Sequence, residues 1–261
     1  MENSRRRRNG AASGEAGRGG PRENAKTMIE ALVLVFFLNA FLLQSFAIPT
    51  ASMEDNMLIG DHLFANRAAY DVAGQPLDRL VFPMKRIGRG DIVVFKAPPE
   101  IKAGNLSRLM YVKRVIGLAG DLVRISDNRV FINGKPLDEP YVFLKGLPSV
   151  PADFPPSGRS DWEEGFPEDY KACVVPTADG PAFRVPDGYY FCMGDNRNIS
   201  ADSRVWGPLP AANVIGRPWR IYWSIAADPG PGSRRGPLGR LADTVLRFPA
   251  RTRWNRLLKK Y

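Results

Sequence analysis

At 261 residues and 44% hydrophobic, the chain is long enough for a membrane anchor plus one domain of roughly 150–200 residues with its own core. Its net charge of +10 and pI near 9.8 would suit nucleic acid if the charge lay on the body of the chain. It lies at the ends instead: residues 1–27 hold seven Lys/Arg against three acids and residues 228–261 hold nine against two. The stretch 28–227 is therefore close to neutral, which argues against a nucleic-acid-binding body.

Residues 1–27, with Arg5 to Arg8 and several glycines, read as a disordered basic tail. Met28 to Ile48 is apolar except for Glu30, Asn39, Gln44 and Ser45. About 20 such residues span a bilayer core, so a transmembrane helix is predicted over 28–48, stopped by Pro49. A cleaved secretory signal is the alternative, opposed by an apolar run longer than the usual ~7–15 residues and by the poor cleavage site Ile48-Pro49-Thr50. The arginines before the run place the N-terminus in the cytoplasm and send residue 49 onward across the membrane.

From Gly60 short apolar runs alternate with Gly, Pro, Asn and Asp, the pattern of a mainly β domain of coiled antiparallel sheets over 49–227. Asp91–Lys96 and Met110–Ile116 read as strands, and Asn133-Gly134 as a type I′ hairpin turn. Residues 142–186, with eight prolines, read as an extended insertion of loops and short strands. A strand at Gly188–Phe191 then leads into a polar loop, Gly194 to Gly207. The segment 228–261 reads as a basic tail, solvated or, through Trp254, Leu257 and Leu258 at helical spacing, an interfacial helix on anionic lipid.

A serine nucleophile needs a base. Ser52 stands just past the apolar run, but the single histidine, His62, has no obvious carboxylate partner. Lysine serves if burial lowers its pKa by several units, and Lys113 lies mid-strand with Tyr111 and Val115 on its face and Val112 and Arg114 on the other. An edge-strand or ion-paired lysine is the structural alternative. Cys173 and Cys192 leave pairing open, although the strand context of Cys192 favours a packed thiol. No metal or nucleotide cofactor is implied, for there is neither a Cys/His cluster nor a glycine-rich phosphate loop.

Pro49-Thr50-Ala51-Ser52-Met53, Gly90 to Phe95, Tyr111 to Asp121 and the Gly194 to Gly207 loop together resemble, in order, the signature boxes of the type I signal peptidases. The resemblance covers residue 28 to about 223. It implies a Ser–Lys protease of the bacterial inner membrane that removes signal peptides from preproteins after a small residue, with its catalytic domain periplasmic. Ser52 would be the nucleophile, Lys113 the general base, and the Ser52 N–H with the Thr50 hydroxyl the oxyanion donors. Ser200 matches the serine that orients the lysine. Arg114 with Asp195, and Asp202 with Arg204, match bracing positions, while Ile48, Pro49, Met53, Tyr111 and Val112 match substrate-pocket linings. Asp55 stands where the family usually has proline, Ala51 replaces a common glycine, Ala119 a common proline, and Asn198-Ile199 the usual Asp-Asn. A divergent paralogue that grips exported peptides without cutting them is the rival reading.

Overall fold

The computed structural model describes residues 20–37, 42–54, 56–70, 85–98, 110–156, 166–226 and 248–261. The chain divides into two compact units, residues 1–38 and 39–261.

The described residues of the first unit form a helix, α1 (Pro21–Phe37), whose side chains are all exposed. Pro21 at its first position and Glu23 in its first turn suit a helix N-terminus. It therefore starts inside the stretch expected to be a disordered tail, whose residues 1–19 lie outside the described ones. The expected helix over 28–48 is corrected at its other end too: Leu43–Ala47 is a strand, β1. The reason lies in its partner. Leu43 to Ala47 pair antiparallel with Asn66 to His62 of β2 (Asp61–Asn66), and Phe46 turns into the core. Pro49 thus follows a strand rather than ending a helix. Among the described residues no helix is long and apolar enough to cross a membrane.

The second unit is built on two antiparallel sheets. Beyond β1 and β2 its strands are β3 (Ile92–Lys96), β4 (Met110–Gly117), β5 (Leu122–Ser126), β6 (Arg129–Ile132), β7 (Lys135–Pro136), β8 (Val174–Thr177), β9 (Gly180–Arg184), β10 (Tyr189–Met193), β11 (Leu209–Pro210) and β12 (Val214–Ser224). The larger sheet runs β1-β2-β12-β3-β4-β10-β11 and the smaller β7-β6-β5-β9-β8. β12 curls the large sheet, pairing with β3 through Val214 and Gly216 and with β2 from Arg217 onward. Its register shifts between Pro218 and Arg220, where a bulge accommodates a residue without an N–H. Asn133 and Gly134 take φ of 52° and 78°, the left-handed pair that the Asn-Gly turn of β6–β7 requires.

The expected insertion 142–186 is structural as well as peripheral. Phe143 bridges Asn196, and β8 and β9 complete the small sheet through the pairing of β9 with β5. Phe154, Phe166, Phe183 and Phe191 pack there into one aromatic cluster. An interfacial helix at the C-terminal end is also corrected. Residues 248–261 form a helical turn, a 3-10 turn at Trp254–Arg256 and an irregular strap along β12, with Leu258 N donating to Ile221 O and Ile221 N to Lys259 O. Backbone pairing with β12 and ion pairs from Arg253 and Arg256 to the buried Asp61 outweigh the local helical spacing.

Candidate active site

Ser52 sits in a 3-10 turn, Ala51–Met53, entered from an extended Thr50 with φ −132° and ψ 157°. The β1–β2 ladder continues up to this turn, since Ile48 N donates to Asp61 O and Gly60 N to Ile48 O. Lys113 comes from the middle of β4, is 2% exposed, and its Nζ donates to Ser52 Oγ at 2.5 Å. Burial pushes the lysine down from its ordinary value near 10.5 to about 8; Asp202 and Asp195 oppose that fall and Arg204 adds to it. A buried amine within hydrogen-bond reach of a hydroxyl, neutral in a substantial fraction near pH 8, can take that hydroxyl's proton. His62 is not at this centre: it lies on β2, paired with Ala47 of β1, and its ring lies 5.7 Å from that of Trp223.

The Gly194 to Gly207 loop supports the pair from β10. Arg204 forks onto Asp202, Nε to Oδ1 and Nη2 to Oδ2 both at 2.9 Å, and neither side chain is exposed. Burial alone would raise the Asp202 carboxyl, but the Arg204 guanidinium and Lys113 hold it below the usual carboxylate range. Arg114, next to Lys113, forks onto Asp195 at 2.8 and 2.7 Å and lies over the Tyr141 ring at 3.9 Å. Both bracing pairs expected from the sequence therefore form. Asp202 is also the N-cap of the turn Ser203–Trp206, accepting from Arg204 N.

Ser200 behaves differently from its expected role. It is fully buried, yet its hydroxyl has no hydrogen-bond partner among the described residues, and the Lys113 amine bonds to Ser52 instead. Its neighbour explains the crowding: a Cβ on Gly194 would fall 2.2 Å from Ser200 Oγ and 2.6 Å from Ser52 O. Asp55 lies outside the described residues. Cys173 and Cys192 are both free thiols, Cys192 buried in β10, where burial pushes its pKa up.

A small apolar depression opens beside Ser52. Ile48, Pro49, Met53, Tyr111 and Val112 all line it, together with Thr50 and one further residue, Met110. Thr50 Oγ1 lies 3.3 Å from Ser52 Oγ.

This geometry agrees with what the chain resembles. Residues 22–223 match the family described as signal peptidase, peptidase S26. The chain belongs to that family. It is 34% identical over 203 residues to a probable signal peptidase I-2 of Synechocystis sp., a match covering 78% of this chain and 73% of the relative. It is 32% identical over 216 residues to signal peptidase I of Pseudomonas fluorescens, covering 77% and 72%. A probable signal peptidase I-1 of Synechocystis sp. is 32% identical over 233 residues, covering 88% and 91%. As a member of peptidase S26 the chain is a serine endopeptidase.

Several residues that support this peptidase's site escape sequence reasoning. Asn196 N donates to Ser52 O at 3.1 Å and Asn56 Nδ2 to Asp195 Oδ2 at 2.8 Å. Arg197, 1% exposed, forks onto Glu139 and donates to Gly194 O. Met110 is one more apolar residue at a strand start, and nothing in its spacing marks it. The density of Asp, Asn and Arg in the loop is the one available signal for Asn196 and Arg197.

Proposed function

We propose that this peptidase cleaves N-terminal signal peptides from exported preproteins after a small residue, with Ser52 as nucleophile and Lys113 as general base. The 2.5 Å approach of a fully buried lysine to Ser52 is the observation that carries the reading. In the neutral amine the hydrogen bond reverses. Lys113 accepts the Ser52 proton as Oγ attacks the scissile carbonyl carbon, and its ammonium then protonates the leaving amine. Water, deprotonated by the same amine, hydrolyses the acyl–serine ester. The oxyanion formed at each addition accepts from the Ser52 N–H and the Thr50 hydroxyl, a donor worth about 3 kcal/mol.

The lining of Ile48, Pro49, Met53, Tyr111 and Val112 is apolar and shallow, which favours alanine-sized side chains at the last and third-last positions of the signal peptide. Asp195 with Arg114 and Asp202 with Arg204 hold the loop against the pair. Ser200, buried beside Gly194 and Ser52 O, orients the lysine once the substrate draws Ser52 into attack. The exposed apolar side chains from Met28 to Phe37 support a single anchor in the lipid bilayer. The N-terminal arginines then stay in the cytoplasm and the catalytic domain sits at the periplasmic face of the inner membrane.

The test is cleavage of a preprotein with alanines at those two positions by wild type, Ser52→Ala and Lys113→Ala. Cleavage by wild type alone is expected. Equal cleavage by all three overturns the dyad, and no cleavage by wild type favours a peptide-gripping paralogue.

A further inference from the structure

The turn that carries Ser52 does not end at Met53. Glu54 N donates to Ala51 O and Met57 N to Met53 O, so the Ser52 turn is tied by backbone hydrogen bonding to the residue that follows Asn56. The carbonyl of Asn56 is one point at which residues 248–261 fasten. Tyr261 donates its hydroxyl to it, Arg256 Nη2 donates at 2.9 Å and Lys259 Nζ at 3.5 Å. Three donors from one strap converge on a single backbone oxygen four residues from the nucleophile.

The same residue faces the other way through its side chain. Asn56 Nδ2 donates to Asp195 Oδ2, and Asp195 is forked by Arg114, the neighbour of Lys113 on β4. The Tyr261 ring also packs on the apolar cluster that contains Ile48 and Met53, which flank Ser52 and line its depression. Burial pushes the phenol up to about 12, so it remains a donor across the working pH range. The strap itself is held independently, by Tyr261 N to Trp219 O, Leu258 N to Ile221 O and the Arg256 fork onto Asp61.

We infer that Tyr261, acting through Asn56, is a positioning residue that holds the Ser52 turn in register with Lys113. It touches neither substrate nor the reacting atoms. Its hydroxyl fixes the Asn56 carbonyl, the Asn56 amide ties that residue to the Arg114–Asp195 pair, and Ser52 is thereby set against an amine whose own strand is anchored by the same pair. A placement error of a fraction of an ångström at the nucleophile reduces turnover without altering how the signal peptide is gripped.

The inference rests on the Ser52–Lys113 reading, and the experiment separates the two. Full-length wild type, Ser52→Ala, Tyr261→Phe, Tyr261→Ala, Asn56→Ala and the Tyr261→Phe/Asn56→Ala double variant are assayed on the alanine-site preprotein, with thermal melts of each. Tyr261→Phe, which keeps the ring and the backbone bonds, is expected to lower kcat about 5-fold, with KM and the acid limb of the pH profile unchanged and the melting temperature lowered only by the few degrees that one hydrogen bond is worth. The double variant falls no further than the worse single one, because both remove the same support. Wild-type kcat in Tyr261→Phe, a kcat loss that vanishes when each variant is assayed well below its own melting temperature, or multiplying losses in the double variant overturns the positioning role. Full activity in Ser52→Ala instead overturns the dyad.

Discussion

Lys113 and Ser52 are 61 residues apart in the chain and 2.5 Å apart in the fold, amine to hydroxyl. One comes from the middle of a buried strand and the other from a turn just past an edge strand. Their meeting sets what the protein can be asked.

The first question is pH. Only neutral Lys113 can accept the Ser52 proton, and burial lowers its pKa to about 8. The expected profile of kcat/KM rises with pH through an acid limb near 8, far below the ordinary lysine value. Asp195→Asn, which removes a charge that holds the lysine up, should move that limb to lower pH. A limb that stays in place on this substitution would sink the electrostatic account.

A buried lysine also costs stability. The native pKa of Lys113 lies below its unfolded value near 10.5. Between about 8 and 10.5 the unfolded chain therefore binds more protons, and stability rises with pH across that window. Below it the penalty is present in full, on the order of 3 kcal/mol. Lys113→Met should thus abolish cleavage while raising the melting temperature at pH 7, and the gain over wild type should shrink as pH climbs through the window. Calorimetry at pH 7 and pH 10 checks it; a destabilised Lys113→Met would show that the amine contributes more to packing and to Asp202 than its burial costs.

Thr50 offers a cleaner separation of binding from chemistry. Thr50→Val keeps the shape and loses the hydroxyl 3.3 Å from Ser52 Oγ; kcat should fall about 100-fold or more, as for other single oxyanion donors, with KM little changed. Thr50→Ser should keep most of the activity. Steady-state kinetics on one preprotein would show the difference, and an active Thr50→Val would remove this residue from the oxyanion site.

Gly194 tests the closeness of the supporting loop. A methyl there would meet the Ser52 carbonyl oxygen and Ser200 at distances real atoms do not adopt, both belonging to packed structure that cannot swing away. Gly194→Ala should destabilise by about 1–3 kcal/mol through overpacking and cut kcat, because relief of the clash displaces the nucleophile turn. Denaturant melts alongside turnover numbers are the check; an unaffected kcat would mean that the loop yields without moving Ser52.

The strands and the dyad candidates are legible for local reasons. Period-two alternation around Lys113 and the Asn133-Gly134 turn each express physics that acts over a few neighbours. Leu43–Ala47 shows where that stops. Apolar residues continuous with a helix-forming run were expected to be helical, yet they form a strand because β2, nearly twenty residues later, provides a ladder and a core face for Phe46. Trp254, Leu257 and Leu258 have helical spacing for the same deceptive reason, and β12 pulls their backbone into a strap.

Residue type and short-range spacing by themselves determined a mainly β domain, a serine past an apolar run and a lysine in the middle of an apolar strand, whereas the peptidase activity and the two Asp–Arg pairs are what the resemblance of the four boxes to the type I signal peptidases implies. Tertiary structure alone decided that β1 is a strand, that Lys113 is buried against Ser52, that Ser200 finds no hydrogen-bond partner among the described residues, and that Asn56 joins residues 248–261 to the Arg114–Asp195 pair. Burial and long-range hydrogen bonding are properties of which segments meet. No window of neighbouring residues contains them.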